Sequence, residues 1–402
     1  MDKLENFQKV LLEACGQHPA HRISFDQLYQ GLMNNVEKEL VSVVKNDDLE
    51  LFSYTITAQF DKLWDIYSII ARGLILCPSQ KKVVCTGFPK FFNYGEVSTY
   101  IPDLPFEVSE KVDGSCGFLR FWDGKWRVST RGSFFSDQAK WATYFINDPN
   151  KFYLRELDEG TTYITEIIYP ENKIVVDYKG YEGLKLITAY DEKGYEIPWN
   201  DPRLAKVRRN TGFGWVNHYP QYKSIDELLQ IADTLPYSQE GFVLRFSNGF
   251  RIKIKSKDYL RVHRLISNCT PLAIWESMCN CDDIDLVRKD LPEEMHKDFD
   301  SMRSILQLKL DMLIKEIKQF HQATVHMSDK ELGLMLKSGE HNLTSDSKNF
   351  IFLCRKKDFL NEVNKPTGLR KKAFKTFQPK GNKLPGYSPS SAMNRFEELQ
   401  DS

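Results

Sequence analysis

The sequence predicts an α+β protein, in which antiparallel sheets dominate to about residue 256 and helices follow. Short apolar runs bounded by turn residues fill the first part, and apolar residues at helical spacing fill the second. The length of 402 residues also exceeds one ordinary core, so two or three domains are expected. We divide the chain into a strand-rich domain over 1–258, a smaller all-helical domain over 259–365 and a basic, flexible tail over 366–402.

Composition argues against several classes of protein. The chain holds 55 basic and 55 acidic residues and has a net charge of +0, which disfavours a protein that coats nucleic acid along its whole surface. No apolar run approaches the roughly 20 residues that span a bilayer, and the charged N-terminus has no apolar signal-peptide core. Cys279 and Cys281 have no second pair nearby and make a poor zinc signature. We expect buried or idle thiols in a cytoplasmic monomer without membrane contact.

The elements of the first domain follow from hydrophobic period and turn residues. A helical rhythm runs from Met1 to Cys15, and strand-like runs at 40–44 and 49–54 flank Asn46-Asp47-Asp48 as a hairpin. Further strands are predicted, in chain order, at 82–85, 115–122, 126–129, 163–168, 174–178, 184–189, 241–246 and 250–254. Helices are predicted between them at 137–145 and 224–233. Such a mixture is typical of an α+β domain built on antiparallel sheets.

Helical spacing replaces the strand patterns after residue 258. Apolar residues step by three and four along one predicted helix, at Met302, Leu306, Leu310, Leu313, Ile317 and Phe320. The last stretch is rich in Pro, Gly, Ser and Lys. Six basic residues there follow one another without an acidic residue between them: Arg370, Lys371, Lys372, Lys375, Lys380 and Lys383. This composition predicts a loosely ordered tail.

Lys111-Val112-Asp113-Gly114-Ser115 places a lysine beside a short polar turn, a pattern that is weak evidence by itself. A free lysine has a pKa of about 10.4, whereas attack at neutral pH needs roughly 7–8, a gap of about 4 kcal/mol. A second cation about 4 Å away supplies roughly that amount at an effective dielectric constant near 20. If Lys111 is a nucleophile, we therefore expect other cations close to it.

Lys253 and Lys255 are candidates for those cations. Alternation along a strand places both on one face and Ile254 on the other. Two lysines on one face repel each other unless an anion lies between them, so the pair indicates an anion site. Solvated surface lysines are the alternative interpretation.

Two glutamates are candidates for binding roles. Glu240 enters the apolar run Glu240-Gly241-Phe242-Val243-Leu244-Arg245, where a carboxylate can hold Mg²⁺ or its water; a surface glutamate at a strand edge is the alternative. Glu166 lies within a mostly apolar strand, where burial without a partner is costly. A ribose hydroxyl would satisfy Glu166, and so would a structural salt bridge.

Three further cations could bind phosphate. Arg131 in Thr130-Arg131-Gly132-Ser133 follows a strand and can direct a guanidinium at a phosphate or carboxylate. Arg72, followed by Gly73, and Lys90 in Lys90-Phe91-Phe92-Asn93 are similar candidates. Each is equally explained as a surface cation beside core aromatic residues.

The order of these motifs is more specific than any one of them. Five motifs occur in the order seen in ATP-dependent covalent nucleotidyltransferases, which are the polynucleotide ligases and capping enzymes. In chain order they are K-x-D-G-S, T-R-G-S, a strand glutamate, E-G-F-V and K-x-K. Four more segments carry a further resemblance: Ala71-Arg72-Gly73, Lys90-Phe91-Phe92-Asn93, Asn172-Lys173-Ile174-Val175-Val176 and Phe250-Arg251-Ile252-Lys253-Ile254-Lys255-Ser256. With these segments, the chain resembles the phage tRNA-repairing RNA ligase 1 family. The resemblance covers about residues 51–263.

The resemblance implies a nucleotidyltransferase (adenylation) domain, the cofactors ATP and Mg²⁺ (or Mn²⁺), and RNA as partner. Lys111 would attack the α-phosphate of ATP and form a lysyl–AMP, the AMP would pass to an RNA 5′-phosphate, and a 3′-hydroxyl would then displace it. The resemblance also implies roles for the other residues. Glu166 would hold the ribose, Glu240 the metal, and Lys253 and Lys255 the α-phosphate while lowering the pKa of Lys111. Arg72 and Lys90 would hold the β- and γ-phosphates, Gly114 would permit close approach of the nucleotide, and Glu110 would contact the adenine edge. Arg131 stands where the family often has lysine, so its geometry differs.

Three functions compete. The first is an ATP-dependent RNA ligase that repairs a cleaved tRNA or other single-stranded RNA ends. The second is a DNA ligase or a capping-type guanylyltransferase, in which a small β-barrel usually follows the K-x-K strand; the helical pattern after residue 259 disfavours both. The third is a non-catalytic RNA-binding relative, which has no need of Lys111, Glu240, Lys253 and Lys255 together. The basic tail either contacts RNA phosphates or is simply solvated.

Overall fold

The computed structural model describes most of the chain in two compact units, one running to Arg261 and the other starting at Val262. The described residues are Val10, Leu11, Glu13, 16–96, 101–152, 154–291, 293–339, 341–356, 358–380 and 383–389. The helix predicted from Met1 to Cys15 therefore lies mostly outside the described residues.

The first unit is built on three sheets. Its strands are, in chain order, β1 (Val41–Asn46), β2 (Leu49–Tyr54), β3 (Arg72–Cys77), β4 (Lys82–Cys85), β5 (Phe92–Asn93), β6 (Phe106–Glu110), β7 (Ser115–Trp122), β8 (Lys125–Ser129), β9 (Thr162–Ile168), β10 (Gly183–Tyr190), β11 (Glu196–Ile197), β12 (Gly214–Trp215), β13 (Gly241–Phe246) and β14 (Arg251–Lys255). The first sheet has the order β1-β2-β3-β4, the second β11-β10-β9-β7-β8 with β12 beside β10, and the third β5-β14-β13-β6. Neighbours are antiparallel except for the short strands β12 and β5, which run parallel to β10 and β14. The predicted α+β class with antiparallel sheets is confirmed.

Helices of the first unit cover the sheets. They are α1 (Phe25–Glu37), α2 (Ile56–Phe60), α3 (Ile66–Ile70), α4 (Asp137–Ile146), α5 (Pro202–Asn210) and α6 (Ile225–Thr234), and short 3-10 turns lie at Pro19–His21, Leu154–Glu156 and Pro170–Asn172. A serine or threonine side chain accepts the first free N–H at the start of α1, α2, α4 and α6, which explains where these helices begin.

Alternation along β14 decides which of its residues reach the site. Ile252 and Ile254 are buried in a core that also contains Leu228 and Ala232 of α6. Lys253 and Lys255 point to the opposite face, because successive side chains of a strand alternate. The third sheet therefore presents an apolar face to α6 and a charged face to the candidate site.

Nine of the ten predicted strands are found close to their predicted positions, whereas β3, β5, β6, β11 and β12 were not predicted. The hairpin pairs Val41 with Tyr54 and Asn46 with Leu49, as predicted. The strand predicted at 174–178 is wrong, because this segment is an irregular loop. The N–H groups of Val175 and Val176 donate to one carboxylate oxygen of Asp113 at 2.9 and 2.8 Å. A buried side chain therefore takes the donors that a sheet would have used.

The second unit is helical over its described residues. Helix α7 (Lys257–Asn268) leads into it, and α8 (Pro271–Asn280), α9 (Ile284–Asp290), α10 (Glu293–Ala323), α11 (Asp329–Ser338), α12 (Ser345–Lys348), α13 (Ile351–Lys356), α14 (Phe359–Val363) and α15 (Gly368–Lys375) follow. The apolar stripe predicted along α10 is buried from Met302 to Ile317. None of the helices in the described part of the chain is both long enough and apolar enough to span a bilayer.

Part of the segment predicted as a loose tail is folded. Leu369, Ala373 and Phe374 of α15 are buried, and the guanidinium of Arg370 donates to the carbonyls of Met278 and Cys279. These carbonyls lie in the last turn of α8, where backbone acceptors have no partner within the helix. A basic residue that composition assigns to solvent thus caps a neighbouring helix.

Candidate active site

A cavity of about 270 Å³ is lined by residues of all three sheets. Eight of the ten predicted site residues line it: Arg72, Lys90, Glu110, Lys111, Gly114, Glu166, Lys253 and Lys255. Arg131 and Glu240 do not line it, although Glu240 contacts the lining residues Lys111 and Lys255. The sequence separates these residues by up to 183 positions, and the fold brings them to one place.

Lys111 follows β6 directly and is fixed by its main chain and its side chain. Its N–H donates to the carbonyl of Gly241 at 2.8 Å, and Gly241 is paired with Lys255 of β14. Its Nζ donates to Oε2 of Glu240 at 2.7 Å, while Oε1 of Glu240 contacts Nζ of Lys255 at 2.8 Å. Lys111, Glu240 and Lys255 therefore form one row across three adjacent strands, with a carboxylate between two ammonium groups.

Gly241 is required by this arrangement. Its φ is +138°, and a Cβ atom there would lie 2.1 Å from the carbonyl oxygen of Ile254. Only glycine adopts such a backbone next to another strand without strain. The glycine therefore lets Glu240, which is 3 % exposed, enter the row beside Lys111.

In the ligand-free chain the pKa of Lys111 is raised, whereas the sequence predicted that Lys253 and Lys255 lower it. Burial lowers the pKa of Lys111, but the carboxylates of Glu240 and Glu166 outweigh burial and raise the pKa above its usual value. Burial and the cations at Lys111, Lys90, Lys255 and Arg72 instead lower the pKa of Lys253 well below its usual range. The nearest charge to Lys111 is the carboxylate of Glu240, so the neighbouring cations lower the pKa of Lys253 and not that of Lys111.

Arg72, Lys90 and Lys253 form a cationic end of the cavity. Nη1 of Arg72 is buried without a hydrogen-bond partner. Lys90 is 9 % exposed and its ammonium faces the rings of Tyr54, Trp64 and Phe92 at 5.0–5.6 Å; burial lowers its pKa. Buried cations without carboxylate partners are costly, and a phosphate group would satisfy them.

Glu166 lies on β9 at the opposite wall. It is 8 % exposed, and burial raises the pKa of its carboxyl to about 8, although the ammonium of Lys111 opposes this. The side chain is therefore largely protonated at neutral pH. A Cβ atom at Gly114 would lie 2.7 Å from the carbonyl oxygen of Ile167 and 3.0 Å from Cγ of Glu166, so this glycine lets the Lys111 turn lie against β9.

Glu110 and Arg131 are placed differently from the other candidates. The Glu110 carboxylate accepts hydrogen bonds from Nζ of Lys185 and from the backbone and side-chain nitrogens of Asn217, at 2.8–3.2 Å. The Arg131 guanidinium lies over the ring of Tyr54, 4.6 Å from its centroid, and is beside the cavity rather than in its wall. Glu110 therefore lines the cavity with its carboxylate already paired, whereas Arg131 borders the cavity through Tyr54.

Comparison with known proteins now identifies the chain. Residues 70–259 match the T4-type family model described as RNA ligase. This segment, slightly less than half of the chain, is similar to the RNA ligase family. The sequence-based prediction of an ATP-dependent RNA ligase is thereby confirmed at the level of enzyme class.

Individual relatives of this ligase are distant. An RNA ligase of Rhodothermus phage RM378 is 23% identical over 360 residues, covering 71% of this chain and 81% of the relative. An archaeal ATP-dependent RNA ligase of known structure is 15% identical, with a TM-score of 0.45, over 61% of this chain and 68% of that chain. A Naegleria gruberi RNA ligase solved with AMP and Mn is 22% identical, with a TM-score of 0.34, over 40% of this chain and 52% of that chain.

Two functional candidates of the ligase were missed from the sequence. Asp113 is buried, accepts the O–H of Tyr259 at 2.9 Å through Oδ1, and has its pKa raised to about 6 by burial. Tyr54 lies between Lys90 and Arg131, and these cations with Arg72 outweigh burial and lower its pKa to about 8. Asp113 could have been found from its place in the Lys111 motif, whereas nothing in the local sequence around Tyr54 marks it.

The residues of the ligase suit a magnesium ion that arrives with a nucleotide. No group of three His, Cys, Asp or Glu side chains in the described part of the chain is arranged to hold a metal by itself. Mg²⁺ commonly uses one or two carboxylates, water and substrate phosphates. Glu240, beside Lys111 and Lys255, would supply the carboxylate for such a site.

Proposed function

We propose that this ligase joins RNA 5′-phosphate and 3′-hydroxyl ends through an AMP carried on Lys111, and that it repairs broken RNA such as cleaved tRNA. The observation that carries the proposal is the row of Lys111, Glu240 and Lys255 next to the half-buried cations Arg72 and Lys253. The row supplies a nucleophile and a carboxylate that can hold a metal, and the cations supply a phosphate site.

In the first step, Nζ of Lys111 forms a bond to the α-phosphorus of ATP, and the bond from that phosphorus to the bridging oxygen breaks. Pyrophosphate leaves with the electron pair. The ammonium of Lys111 must first lose its proton. Glu240, whose Oε2 lies 2.7 Å away, would hold Mg²⁺, and neutralising this carboxylate lowers the pKa of Lys111 so that the proton passes to solvent. Mg²⁺ bound by Glu240 would neutralise phosphate charge in the same place.

Other side chains position the nucleotide. Arg72, Lys90 and Lys253 hold the phosphates and thereby fill the hydrogen-bonding and charge requirements that they leave open in the ligand-free chain. Glu166, being protonated at neutral pH, can donate a hydrogen bond to a ribose oxygen. These contacts hold the α-phosphorus near Lys111, and positioning of this kind is a large part of the catalysis of phosphoryl transfer.

The later steps reuse the same groups. An oxygen of the RNA 5′-phosphate attacks the phosphorus of the lysyl–AMP, the P–N bond breaks, and Lys111 leaves as an amine that regains a proton. A 3′-hydroxyl then attacks the 5′-phosphate, loses its proton, and AMP leaves. One phosphodiester forms and one AMP and one pyrophosphate are released for each ATP.

The covalent step is tested by incubating the protein with ATP labelled at the α-phosphate and Mg²⁺. We expect an acid-labile, alkali-stable protein–AMP that is absent in Lys111→Ala and present in Lys125→Ala, a control at an exposed lysine of the same unit. Equal labelling of the Lys111→Ala variant, or labelling by GTP alone, would refute the proposal.

The RNA substrate is tested separately. Broken tRNA is supported by the resemblance of the motifs to tRNA-repairing ligases. Sealing of an anticodon-nicked tRNA should be faster than sealing of a linear single strand or of a nicked duplex, and 5′-hydroxyl ends should not be joined. A preference for the nicked duplex would contradict this part of the proposal. A monomeric state, a cytoplasmic location and the preference for Mg²⁺ over Mn²⁺ stay predictions.

A further inference from the structure

The second unit has a basic groove of about 920 Å³ along the middle of α10. We call it the α10 groove. Lys309 and Lys315 of α10 form one side, and Lys380 and Lys383, in the segment after α15, form the other. Four ammonium groups from chain positions about 70 residues apart thus surround one depression.

These lysines have no counter-ions within the described part of the chain. None of the four makes an ion pair with a described residue, although ion pairs are common on α9 to α11. The acidic residues in the lining are Glu316 and Asp346, so the groove keeps a net charge of +2 from its lining residues. An uncompensated group of like charges attracts a polyanion.

Glu316 does not act as a counter-ion for the groove. Its carboxylate accepts hydrogen bonds from the N–H and hydroxyl of Thr344 and from the hydroxyl of Ser347. Burial raises its pKa, but these hydrogen bonds outweigh burial and lower it. Glu316 therefore joins α10 to the start of α12 and builds the wall of the groove.

The second pair of lysines is held by local structure rather than by a free tail. Lys380 and Lys383 form an antiparallel bridge, with the N–H of Lys383 donating to the carbonyl of Lys380 at 3.0 Å. Leu384 is buried next to them, and the hydroxyl of Tyr387 donates to Asp298 of α10 at 2.8 Å. The ammonium groups are thereby kept on the groove side of α10.

Aromatic and further basic side chains extend the same surface. The ring of Phe377 lines the groove and packs on Phe374 at 5.1 Å. Lys372 and Lys375 line a smaller cavity that shares Thr376 with the groove. Lysines combined with an aromatic face are the usual composition of grooves that bind single-stranded nucleic acid without sequence preference.

We propose that the α10 groove binds the phosphate backbone of the RNA strand that is to be joined. The charge requires a polyanion, and the use of lysines rather than bidentate arginines favours contact with phosphates over reading of bases. This inference rests on the proposed function for the identity of the polyanion as RNA. It adds an RNA site in the helical unit to the nucleotide site in the first unit.

The test uses the whole chain with Lys309, Lys315, Lys380 and Lys383 changed together to Ala. The control changes four exposed lysines of the same unit outside the groove, Lys289, Lys297, Lys330 and Lys337, so that both variants lose the same charge. The probe is a 5′-phosphorylated single-stranded RNA, and its dissociation constant is measured from low to moderate salt, together with adenylylation of the protein by ATP.

We expect the groove variant to bind RNA at least tenfold more weakly at about 0.1 M salt, with a salt slope smaller by roughly 3, because each phosphate contact on a single strand contributes about 0.7. Adenylylation by ATP should be unchanged, which shows that the first unit is intact, and an unchanged circular dichroism melting curve shows that the second unit is folded. Unchanged RNA affinity, or an equal loss in the control, would refute RNA binding by the α10 groove. Absence of the protein–AMP in wild type would instead refute the proposed reaction without bearing on RNA binding by the groove.

Discussion

At the scale of single residues, the central feature is a carboxylate held between two lysines. Glu240 contacts Nζ of Lys111 and Nζ of Lys255 at 2.7 and 2.8 Å. Its carboxylate raises the pKa of Lys111, so Lys111 is charged in the ligand-free protein. The sequence supplied the three residue types but not their order in space, because Glu240 is 129 positions from Lys111. A pKa depends on which charge is nearest, and that distance is set only by the pairing of strands.

Replacing Glu240 by Gln should lower the pKa of Lys111 and reduce formation of the protein–AMP by roughly 100-fold, because Glu240 positions Lys111 and a misplacement of about 1 Å can cost that much. The pKa falls because the carboxylate that raises it is removed. Labelling of Lys111 by an amine-directed reagent, followed by peptide mass spectrometry over a range of pH, measures the change. Glu110→Gln, at a carboxylate paired with Lys185, is the matched control, and an unchanged midpoint in Glu240→Gln would contradict the assignment.

Replacing Glu166 by Gln should stabilise the ligand-free protein increasingly above pH 5. Burial raises the pKa of Glu166 from about 4.5 to about 8, so the folded state binds more protons than the unfolded state within this window. The stability of wild type linked to this group is therefore complete below pH 4.5 and is lost as pH rises to 8. Glutamine stays neutral and avoids the loss.

Urea unfolding of both proteins at pH 5, 6.5 and 8 checks this effect of Glu166. The difference in unfolding free energy between variant and wild type should grow with pH, by a few kcal/mol in total. A difference that is constant across the three pH values would show that Glu166 is not protonated in the folded state.

At the scale of elements, local pattern predicted most strands of the first unit within one or two residues. Alternation of apolar and polar residues and the positions of turn residues are local properties of the sequence. Strands β7, β9 and β13 could therefore be predicted from the sequence alone. The loop at 174–178 could not, because its N–H donors are used by Asp113, some 60 positions earlier. Helix α15 was missed for a similar reason, since Arg370 is satisfied by carbonyls of α8.

The loop at 174–178 and α7 meet at Asp113, which gives a second test at this scale. Tyr259→Phe removes the hydroxyl that donates to Oδ1 of Asp113 at 2.9 Å and leaves a buried carboxylate with one donor fewer. We expect a loss of about 1–3 kcal/mol in unfolding free energy. Tyr144→Phe, at a side chain 85% exposed, should change it by less than about 0.5 kcal/mol, and equal effects would rule out the Asp113 contact as the cause.

The turn into β13 gives a third test. Gly241→Ala should destabilise the protein by several kcal/mol, because its φ is +138° and a Cβ would lie 2.1 Å from a carbonyl oxygen. Gly368→Ala is the control, since nothing lies within 4 Å of a Cβ there and alanine favours the helix. Denaturant unfolding should separate the two variants clearly, and similar stabilities would show that β13 tolerates a side chain.

At the scale of the whole molecule, the two compact units carry separate chemistry. The first unit contains the nucleotide cavity, and the second contains the α10 groove, lined by its own helices. The change of hydrophobic period after residue 258 predicted this change of architecture. The groove itself was not predictable, because its lysines come from α10 and from a segment that composition assigns to a loose tail.

ATP with Mg²⁺ should therefore stabilise one unit selectively. In the Lys111→Ala variant, where no covalent adduct forms, nucleotide at 100 times its dissociation constant should add about 2.7 kcal/mol to the unit that binds it. Calorimetry should show a higher Tm for a transition of the first unit and an unchanged one for the second. Arg72→Ala should abolish the shift, and a shift that survives this change would place the phosphates elsewhere.

The main-chain pairing of Lys111, Gly241 and Lys255 has a consequence for how this activity can be lost. The three positions are joined by backbone pairing, so slippage of β14 by one residue would turn Lys253 and Lys255 to the opposite face of the sheet, away from Lys111. Small shifts of the backbone at these three positions are therefore incompatible with activity. A relative that has become inactive should keep the pairing unchanged and show its loss only in the identity of the side chains.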